Sequence, residues 1–274
     1  MKTNRPKKSN QTTTVALSNI NFKISRECLQ NNKPDLSSHR NMDALNSISR
    51  YYNFLGNSYD AIQDTEVNNC FAVRLALYLI DLITNSAIPA ARSGGLKKNF
   101  FRQCLEKAAE EHLFKEIDDQ ELLIIYIKQC LHLLQISGIL KKSDKRAFII
   151  NDASISGKSL YYKLFKAFWV DAEWEIIFPS DVETARDLKI NKNILKDLLL
   201  KNYGKTRLDK VANEFFDMTG FTSCNDLVMI SFLDFYFFTW LKHFNLVLYY
   251  NDSLYAPVYI SVTDSGRKIL NLVS

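Results

Sequence analysis

The chain has 274 residues and a net charge of +5, and 47% of its residues are hydrophobic and 12% aromatic. This length and composition are enough to bury one large core or two modest ones. Only 8 glycines and 5 prolines are present, which disfavours an all-β fold with many tight turns. The small positive charge is compatible with nucleic acid, but it does not establish such a partner.

The five cysteines include no C-x-x-C pair, so free thiols in a reducing compartment are the simplest interpretation. Cys130 and His132 lie two residues apart, but the sequence has no second pair of ligands at a matching spacing, so a zinc site is not indicated. The basic start at residues 1–8 is not followed by an apolar segment, so it does not resemble a secretory signal. No apolar run reaches the length of a membrane span. We therefore predict a cytoplasmic protein without membrane association, metal or cofactor.

The N-terminal region is polar and basic over residues 1–14 and irregular up to residue 40. We predict that residues 1–40 form a flexible basic arm, which is more typical of a solvated tail than of a nucleic-acid contact. The pattern of residues 41–55 then predicts a helix, with Asn41 as its N-cap and apolar residues along one face.

The next stretch predicts three helices followed by a β-hairpin. A buried first helix begins near Asn69, a second begins at Leu96, and a third, almost entirely apolar, covers residues 122–136. Gly138 would end the third helix in the left-handed conformation. Two short strands at 139–140 and 148–150 are joined by a charged segment, and a new helix begins within 154–160.

The same order recurs after Pro179, where Asp181 would cap a first helix over residues 181–203. A second helix follows at 207–218, and Ser223 would cap a third that includes the apolar run 232–244. Asn245 then occupies the place that Gly138 has in the first copy. Strands at 246–250 and 258–262 lead to a helix that Thr263 would cap.

The two stretches can be superposed on Gly138 and Asn245. The polar stripe formed by Lys128, His132 and Gln135 on the first long helix then has partial counterparts in the second. We interpret this as duplication of one unit with a boundary near residue 180. Chance similarity is the competing interpretation, because a helix followed by a hairpin is a common arrangement.

The segment 260–270, an apolar strand followed by Thr263-x-x-Gly266 and a helix, resembles the wing exit of MarR- and PadR-like winged helix-turn-helix proteins. Residues 93–96 resemble an uncharacterised bacterial tandem winged-helix family that has Thr-x-x-Gly-Asn-Leu there. In this chain, Ala91 stands in place of the Thr and Gly95 in place of the Asn. The resemblance implies DNA binding or protein assembly.

We therefore expect a mostly α protein with short β-hairpin wings, arranged as two tandem winged-helix domains. The first, with flanking helices, would cover residues 41–180, and the second would cover residues 181–274.

Two basic clusters are candidate nucleic-acid contacts, one at the start of the second helix and one on the first wing. Basic wings typically contact phosphates and contribute affinity more than sequence choice. A solvated charged turn is the competing interpretation. The candidate residues are Arg92, Lys97, Lys98, Arg102, Lys141, Lys142, Lys145 and Arg146.

The second wing has no positive charge and is rich in tyrosine, which suits a protein interface better than a phosphate backbone. We expect Tyr249, Tyr250, Leu254 and Tyr255 to contact a protein partner or a second copy of the chain. Packing of these tyrosines on residues 15–40 is the alternative.

Both third helices are too apolar to present many base-reading groups to a DNA groove, so they are better suited to a core or an interface. Asp181, Asp187 and Lys189 only distantly resemble a nuclease motif, and they lie in a predicted helix. The sequence therefore predicts a non-enzymatic DNA-binding or regulatory protein of a bacterium or mobile element, with double-stranded DNA as partner. The alternative is a winged-helix adaptor between proteins that does not bind nucleic acid.

Overall fold

The computed structural model describes residues 61–85, 88–89, 96, 98–143, 147–202, 204–220, 230–231, 233–250 and 258–273. These residues are mostly helical, with two small antiparallel sheets. The predicted N-terminal arm, the predicted helix at 41–55 and the predicted cap Ser223 lie outside them.

The elements fall into two series. The first comprises α1 (Asp64–Asn69), α2 (Phe71–Asn85), β1 (Ile88–Pro89), α3 (Lys98–Glu110), α4 (Gln120–Ile136), β2 (Leu140–Lys142), β3 (Ala147–Ile150), α5 (Gly157–Lys166), the π-helix π1 (Ala167–Asp171) and α6 (Trp174–Ile177). The second comprises α7 (Val182–Lys201), β4 (Thr206–Arg207), α8 (Leu208–Thr219), the π-helix π2 (Leu233–Phe238), α9 (Thr239–His243), β5 (Val247–Tyr250), β6 (Tyr259–Val262) and α10 (Asp264–Leu272).

The elements from α2 to α5 and those from α7 to α10 follow the same order, with the same sheet topology. In each sheet the last strand of the hairpin is central, giving the orders β1-β3-β2 and β4-β6-β5. The predicted hairpins are confirmed. The short strands β1 and β4 were not predicted, because two residues carry too little alternation to indicate a strand. Each pairs antiparallel with the central strand of its sheet.

The ends of the long helices agree with the sequence-based predictions. Gly138 and Asn245 both adopt the left-handed conformation, with φ angles of 73° and 58°, as expected for the residue after a helix C-terminus. Asp181 caps α7 by accepting a hydrogen bond from the amide of Thr184 at 3.1 Å. Asp119, which was not predicted as a cap, caps α4 in the same way by accepting a hydrogen bond from the amide of Glu121.

The Thr263-x-x-Gly266 segment ties α10 to the end of the preceding helix. The Thr263 hydroxyl oxygen accepts a hydrogen bond from the Gly266 amide at 2.8 Å and donates one to the Asn245 carbonyl at 2.9 Å. A Cβ atom on Gly266 would overlap the backbone carbonyl of Leu246. The motif is therefore explained here by close backbone packing.

The first series makes the corresponding connection differently. Ser156 stands at the N-cap of α5 but makes no side-chain capping bond, and Gly157 has a positive φ of 55°. Asp152 instead accepts hydrogen bonds from the amide and hydroxyl of Ser154. The physical reason is the longer path from β3 to α5, which leaves room for a local turn before the helix begins.

The two series share one continuous core rather than two separate ones. Phe168 of π1 stacks on Trp240 of α9 with ring centroids 5.6 Å apart. At the start of α2, Phe71 stacks on His243 at 4.2 Å, and the Tyr161 hydroxyl donates to the Phe244 carbonyl at 2.9 Å. The third helix of the second series is thus packed into the first.

A buried amide connects three elements at this junction. Gln129 of α4 is 5% exposed, and its side-chain nitrogen donates to the Ile177 carbonyl at 3.0 Å. Its side-chain oxygen accepts from the indole nitrogen of Trp240, also at 3.0 Å. Both ends of the amide are therefore satisfied without water.

Replacing Gly266 with alanine should destabilise the fold, because the backbone carbonyl of Leu246 cannot move aside as a flexible side chain can. We expect a loss of about 1–3 kcal/mol in the free energy of unfolding, which is typical of overpacking. Urea denaturation of Gly266→Ala measures it. Lys268→Ala, at an exposed position of the same helix, is the control. A Gly266→Ala variant as stable as the native chain would contradict the proposed packing constraint.

Candidate nucleic-acid interface

The first basic cluster begins on the edge strand β2. Leu140 is buried, whereas Lys141 and Lys142 are exposed. Lys141 pairs with Ile149 of β3, whose side chain is 46% exposed on the outer face of the sheet. In the described part of the chain neither lysine has a carboxylate partner. Lys145 and Arg146, the other predicted contacts of this wing, lie outside the described residues.

The second basic cluster begins on α3, where Lys98 and Arg102 are exposed. The Nε atom of Arg102 lies 3.6 Å from a carboxylate oxygen of Glu106 one turn later, and such exposed pairs hold a charge only weakly. Helix α4 packs against both α3 and β2, so the two clusters border the same helix. The predicted contacts Arg92 and Lys97 are not among the described residues.

The exposed stripe of α4 is poor in base-reading groups. Lys128 and Gln135 are exposed and His132 is half-buried, which confirms the predicted polar stripe. Ile125 lies on the same stripe and is 44% exposed. The Nζ atom of Lys128 lies 5.6 Å from the centroid of the Phe101 ring, so this cation packs against α3.

The apolar face of the corresponding helix of the second series, formed by π2 and α9, cannot enter a DNA groove. Phe237, Phe238, Trp240 and Leu241 are each at most 1% exposed. This burial agrees with the expectation that the apolar third helices belong to a core. Its cause is the contact with the first series, which the sequence alone did not specify.

The two π-helices lie on opposite sides of this contact, with Trp169 of π1 and Phe237 of π2 at a centroid distance of 6.1 Å. At the junction of π2 and α9 the Thr239 hydroxyl donates to the Asp234 carbonyl five residues earlier, at 2.7 Å. Single-turn π-helices often occur at functional sites. They were not predicted, because their formation depends on packing rather than on a local sequence signal.

Among the predicted partner contacts, Tyr249 lies on the core side of β5. Its hydroxyl donates to the Asp234 carboxylate at 2.7 Å, and the Nζ atom of Lys242 lies 5.3 Å from its ring centroid. Strand alternation places Tyr249 on the same face as buried Val247. Its hydroxyl is therefore used inside the chain rather than presented to a partner.

Tyr250 lies on the outer face of the second sheet and is 36% exposed. The Nζ atom of Lys205 lies 4.8 and 4.9 Å from the ring centroids of Tyr250 and Tyr259. Leu248, at the position that corresponds to Lys141 in the first copy, is 44% exposed. The outer face is thus aromatic and apolar with one bound cation. Leu254 and Tyr255 lie outside the described residues.

Among the described residues, the buried titratable groups lie apart from one another or in apolar surroundings. Burial lowers the pKa of His243 to about 3, and its ring packs on Phe71 and Tyr126. Burial raises the pKa of the Cys70 thiol to about 12, which suppresses the nucleophilic thiolate. Within the described residues no three metal-binding side chains come together.

A set of lysines on α7 was missed by the sequence-based reasoning. Lys189, Lys192 and Lys196 are all at least half-buried, and the spacing of three and four residues puts them on one helix face. The sequence did contain an indication that these lysines are buried, because Lys196 immediately follows the buried Leu195 and Lys189 follows the buried Leu188. Charged residues at such positions are normally interpreted as solvated.

Comparison of the chain with protein-family models, with curated proteins and with solved structures gave no match. In the described ranges no helix combines the length and apolarity needed to cross a bilayer. The basis for a functional assignment is therefore the geometry of the side chains.

Acid should destabilise the chain through His243. The pKa of an ordinary histidine is about 6.5, and in the folded chain the pKa of His243 is lowered to about 3. The main cause is burial, and the positive charges of Lys242 and Arg74 add to it. Between these two values the unfolded chain binds more protons, so stability decreases as pH falls through this window. The slope from one such group is at most about 1.4 kcal/mol per pH unit.

Urea denaturation at several pH values between 7 and 4 measures this dependence. His243→Phe keeps an aromatic ring against Phe71 and should reduce the loss of stability on acidification, whereas His112→Asn, at an exposed position, should leave it unchanged. An unchanged slope in His243→Phe would assign the acid sensitivity to other groups.

Proposed function

We propose that this chain is a tandem winged-helix protein that binds duplex DNA through backbone contacts of its first wing and catalyses no reaction. The shared order of elements supports the duplication, as do the matching sheet orders and the left-handed residues Gly138 and Asn245. A helix–strand–helix–helix–hairpin order with a three-stranded sheet is compatible with a winged helix.

The DNA proposal depends chiefly on the exposure of Lys141 and Lys142 and on the lack of an acidic partner for either among the described residues. Both are exposed on an edge strand, and neither has an acidic partner in the part of the chain that the structure describes. The hairpin continues toward Lys145 and Arg146 in the sequence. Such a cluster can neutralise phosphates and release counterions, which supplies affinity without sequence information.

The proposed mode of binding is tolerant of DNA sequence. Base readout in the major groove needs polar side chains on an accessible element. The π2–α9 helix is buried, and α4 presents few such groups on its exposed stripe. We therefore propose backbone contact by the wing and by Lys98 and Arg102 of α3. A cytoplasmic regulatory role in a bacterium or mobile element would fit this mode.

A protein adaptor or homodimer is the second candidate, and the outer face of the second sheet favours it. Leu248 and Tyr250 are exposed there, and aromatic and aliphatic residues of this kind are frequent at protein interfaces. The position that carries Lys141 in the first sheet carries Leu248 in the second. This difference is compatible with separate roles for the two copies.

Replacing Lys141 and Lys142 together with glutamate tests the DNA proposal. The double variant should bind a random-sequence duplex at least about tenfold more weakly, and the slope of log affinity against log salt should fall by about 2, because each phosphate contact contributes about one unit. Titrations at several salt concentrations measure both. Circular dichroism would verify that the fold is retained.

The control is the pair Lys163→Glu and Lys268→Glu, which makes the same change of charge at exposed positions of other helices. It should retain the native salt slope. Equal losses in both variants would indicate general charge attraction. Undiminished binding in the wing variant would exclude the wing as the contact. In that event, light scattering of Leu248→Ser with Tyr250→Ser would test the adaptor candidate.

A further inference from the structure

The outer face of the second sheet receives positive charge from a strand that the sequence did not predict. The hairpin formed by β5 and β6 has no lysine or arginine in its strands. Lys205 and Arg207 are exposed and lie at the start and the end of the segment that forms β4. Because β4 pairs with β6, it brings both cations beside the tyrosines of the hairpin.

One row of side chains crosses the three strands of this sheet. Arg207 of β4 pairs with Tyr259 of β6, which in turn pairs with Tyr250 of β5. The neighbouring residue Ile260 is 1% exposed and faces the core. Side chains alternate along a strand, so the row lies on the outer face, where Tyr250 is 36% exposed.

Lys205 connects the two tyrosine rings of this row. Its Nζ atom lies 4.8 Å from the ring centroid of Tyr250 and 4.9 Å from that of Tyr259. Arg207 is paired with Asp209, whereas in the described ranges no carboxylate forms an ion pair with Lys205. An aromatic ring attracts a cation without neutralising it, so the ammonium of Lys205 keeps its charge and its N–H donors for an anionic oxygen.

The surface beside Lys205 is held in place and remains open. The Ser261 hydroxyl donates to the Tyr250 hydroxyl at 3.2 Å, which directs the ring along the sheet. Leu248, two residues before Tyr250 on the same face, is 44% exposed. Both side chains lie on the edge strand β5, and their exposed fractions are those found with Lys205 already against the rings. An apolar and aromatic surface is therefore accessible next to an unneutralised cation.

This combination suits single-stranded nucleic acid better than the other classes of partner. Unpaired bases stack on aromatic side chains while their phosphates contact neighbouring cations, whereas the bases of a duplex are already stacked on one another. A protein interface is the competing class, because tyrosine is frequent there. Lysine and serine are depleted in such interfaces, however, and Lys205 and Ser261 both contact Tyr250.

We propose that the outer face of the second sheet binds single-stranded nucleic acid, with an unpaired base stacked on Tyr250 and an adjacent phosphate bound by Lys205. Leu248 supplies apolar contact for the neighbouring base. The site shares no residue with the first wing, so it does not depend on the duplex contact proposed above.

Fluorescence anisotropy of a labelled oligodeoxyuridylate of about ten nucleotides tests the site in the full chain. Tyr250→Leu keeps an apolar side chain but removes the ring. It should weaken binding at least about fivefold, because stacking of one base on one aromatic ring contributes a factor of about this size or more. Tyr250→Phe keeps the ring and should bind like the native chain. Circular dichroism and the thermal midpoint verify that each variant is folded.

Lys205→Met tests the phosphate contact. It should lower the slope of log affinity against log salt by about 0.7, which is the contribution of one phosphate of a single strand. Lys210→Met, at an exposed position of α8, should retain the native slope. An oligouridylate of the same length differs only in its 2′-hydroxyl groups. Binding of either strand that Tyr250→Leu weakens supports the site, and the tighter of the two identifies DNA or RNA as the source.

Two comparisons separate this site from the wing and from a protein contact. In the Lys141→Glu, Lys142→Glu background, Tyr250→Leu should cause the same fivefold loss of single-strand affinity, and alone it should leave duplex binding unchanged. Equal single-strand affinity in Tyr250→Leu and the native chain, or no saturable binding of either oligonucleotide, would overturn the proposal. Self-association that light scattering detects and Tyr250→Leu abolishes, without loss of single-strand affinity, would assign the face to a second copy of the chain instead.

Discussion

The packing of Trp240 against the first half of the chain is the contact on which the rest of the structure depends. Its ring stacks on Phe168, and its indole N–H donates to Gln129, whose other end donates to the carbonyl of Ile177. Loss of the ring would leave a cavity and an unsatisfied amide oxygen, and it would remove the aromatic contact with Phe168. In a core of low dielectric these free-energy costs reinforce one another. Because of this contact the two similar halves form one body with one core.

The same contact determines where function is possible. An apolar helix that is buried between two halves cannot lie in a DNA groove, so the exposed cations lie instead on the strand β2 and on the helix α3. The two sheets then differ in a simple way, because Lys141 and Leu248 occupy equivalent outward positions next to equivalent left-handed residues. At this position the outer face of the first sheet therefore carries positive charge where that of the second is apolar.

Features controlled by a few neighbouring residues could be predicted. The left-handed Gly138 after α4, the cap at Asp181 and the capping bond from the Gly266 amide to Thr263 each depend on contacts within a few residues. The orientation of Tyr249 was harder to predict from the sequence, because it depends on which side of the strand faces Asp234. The candidate wing was recognised from its charges, but half of its predicted contacts lie outside the described residues.

By itself the sequence determined most of the helices, the two hairpins and several helix caps, because hydrophobic periodicity and turn chemistry act over short distances. Only the tertiary structure decided that the halves share a core, since Gln129 and Trp240 are 111 residues apart. It also decided which lysines have partners. Lys189 and Lys192 are three residues apart on one helix, yet only the first meets the carbonyls of π1. The partner of a charge is set by the element that packs against it, and periodicity along one helix contains no information about that element.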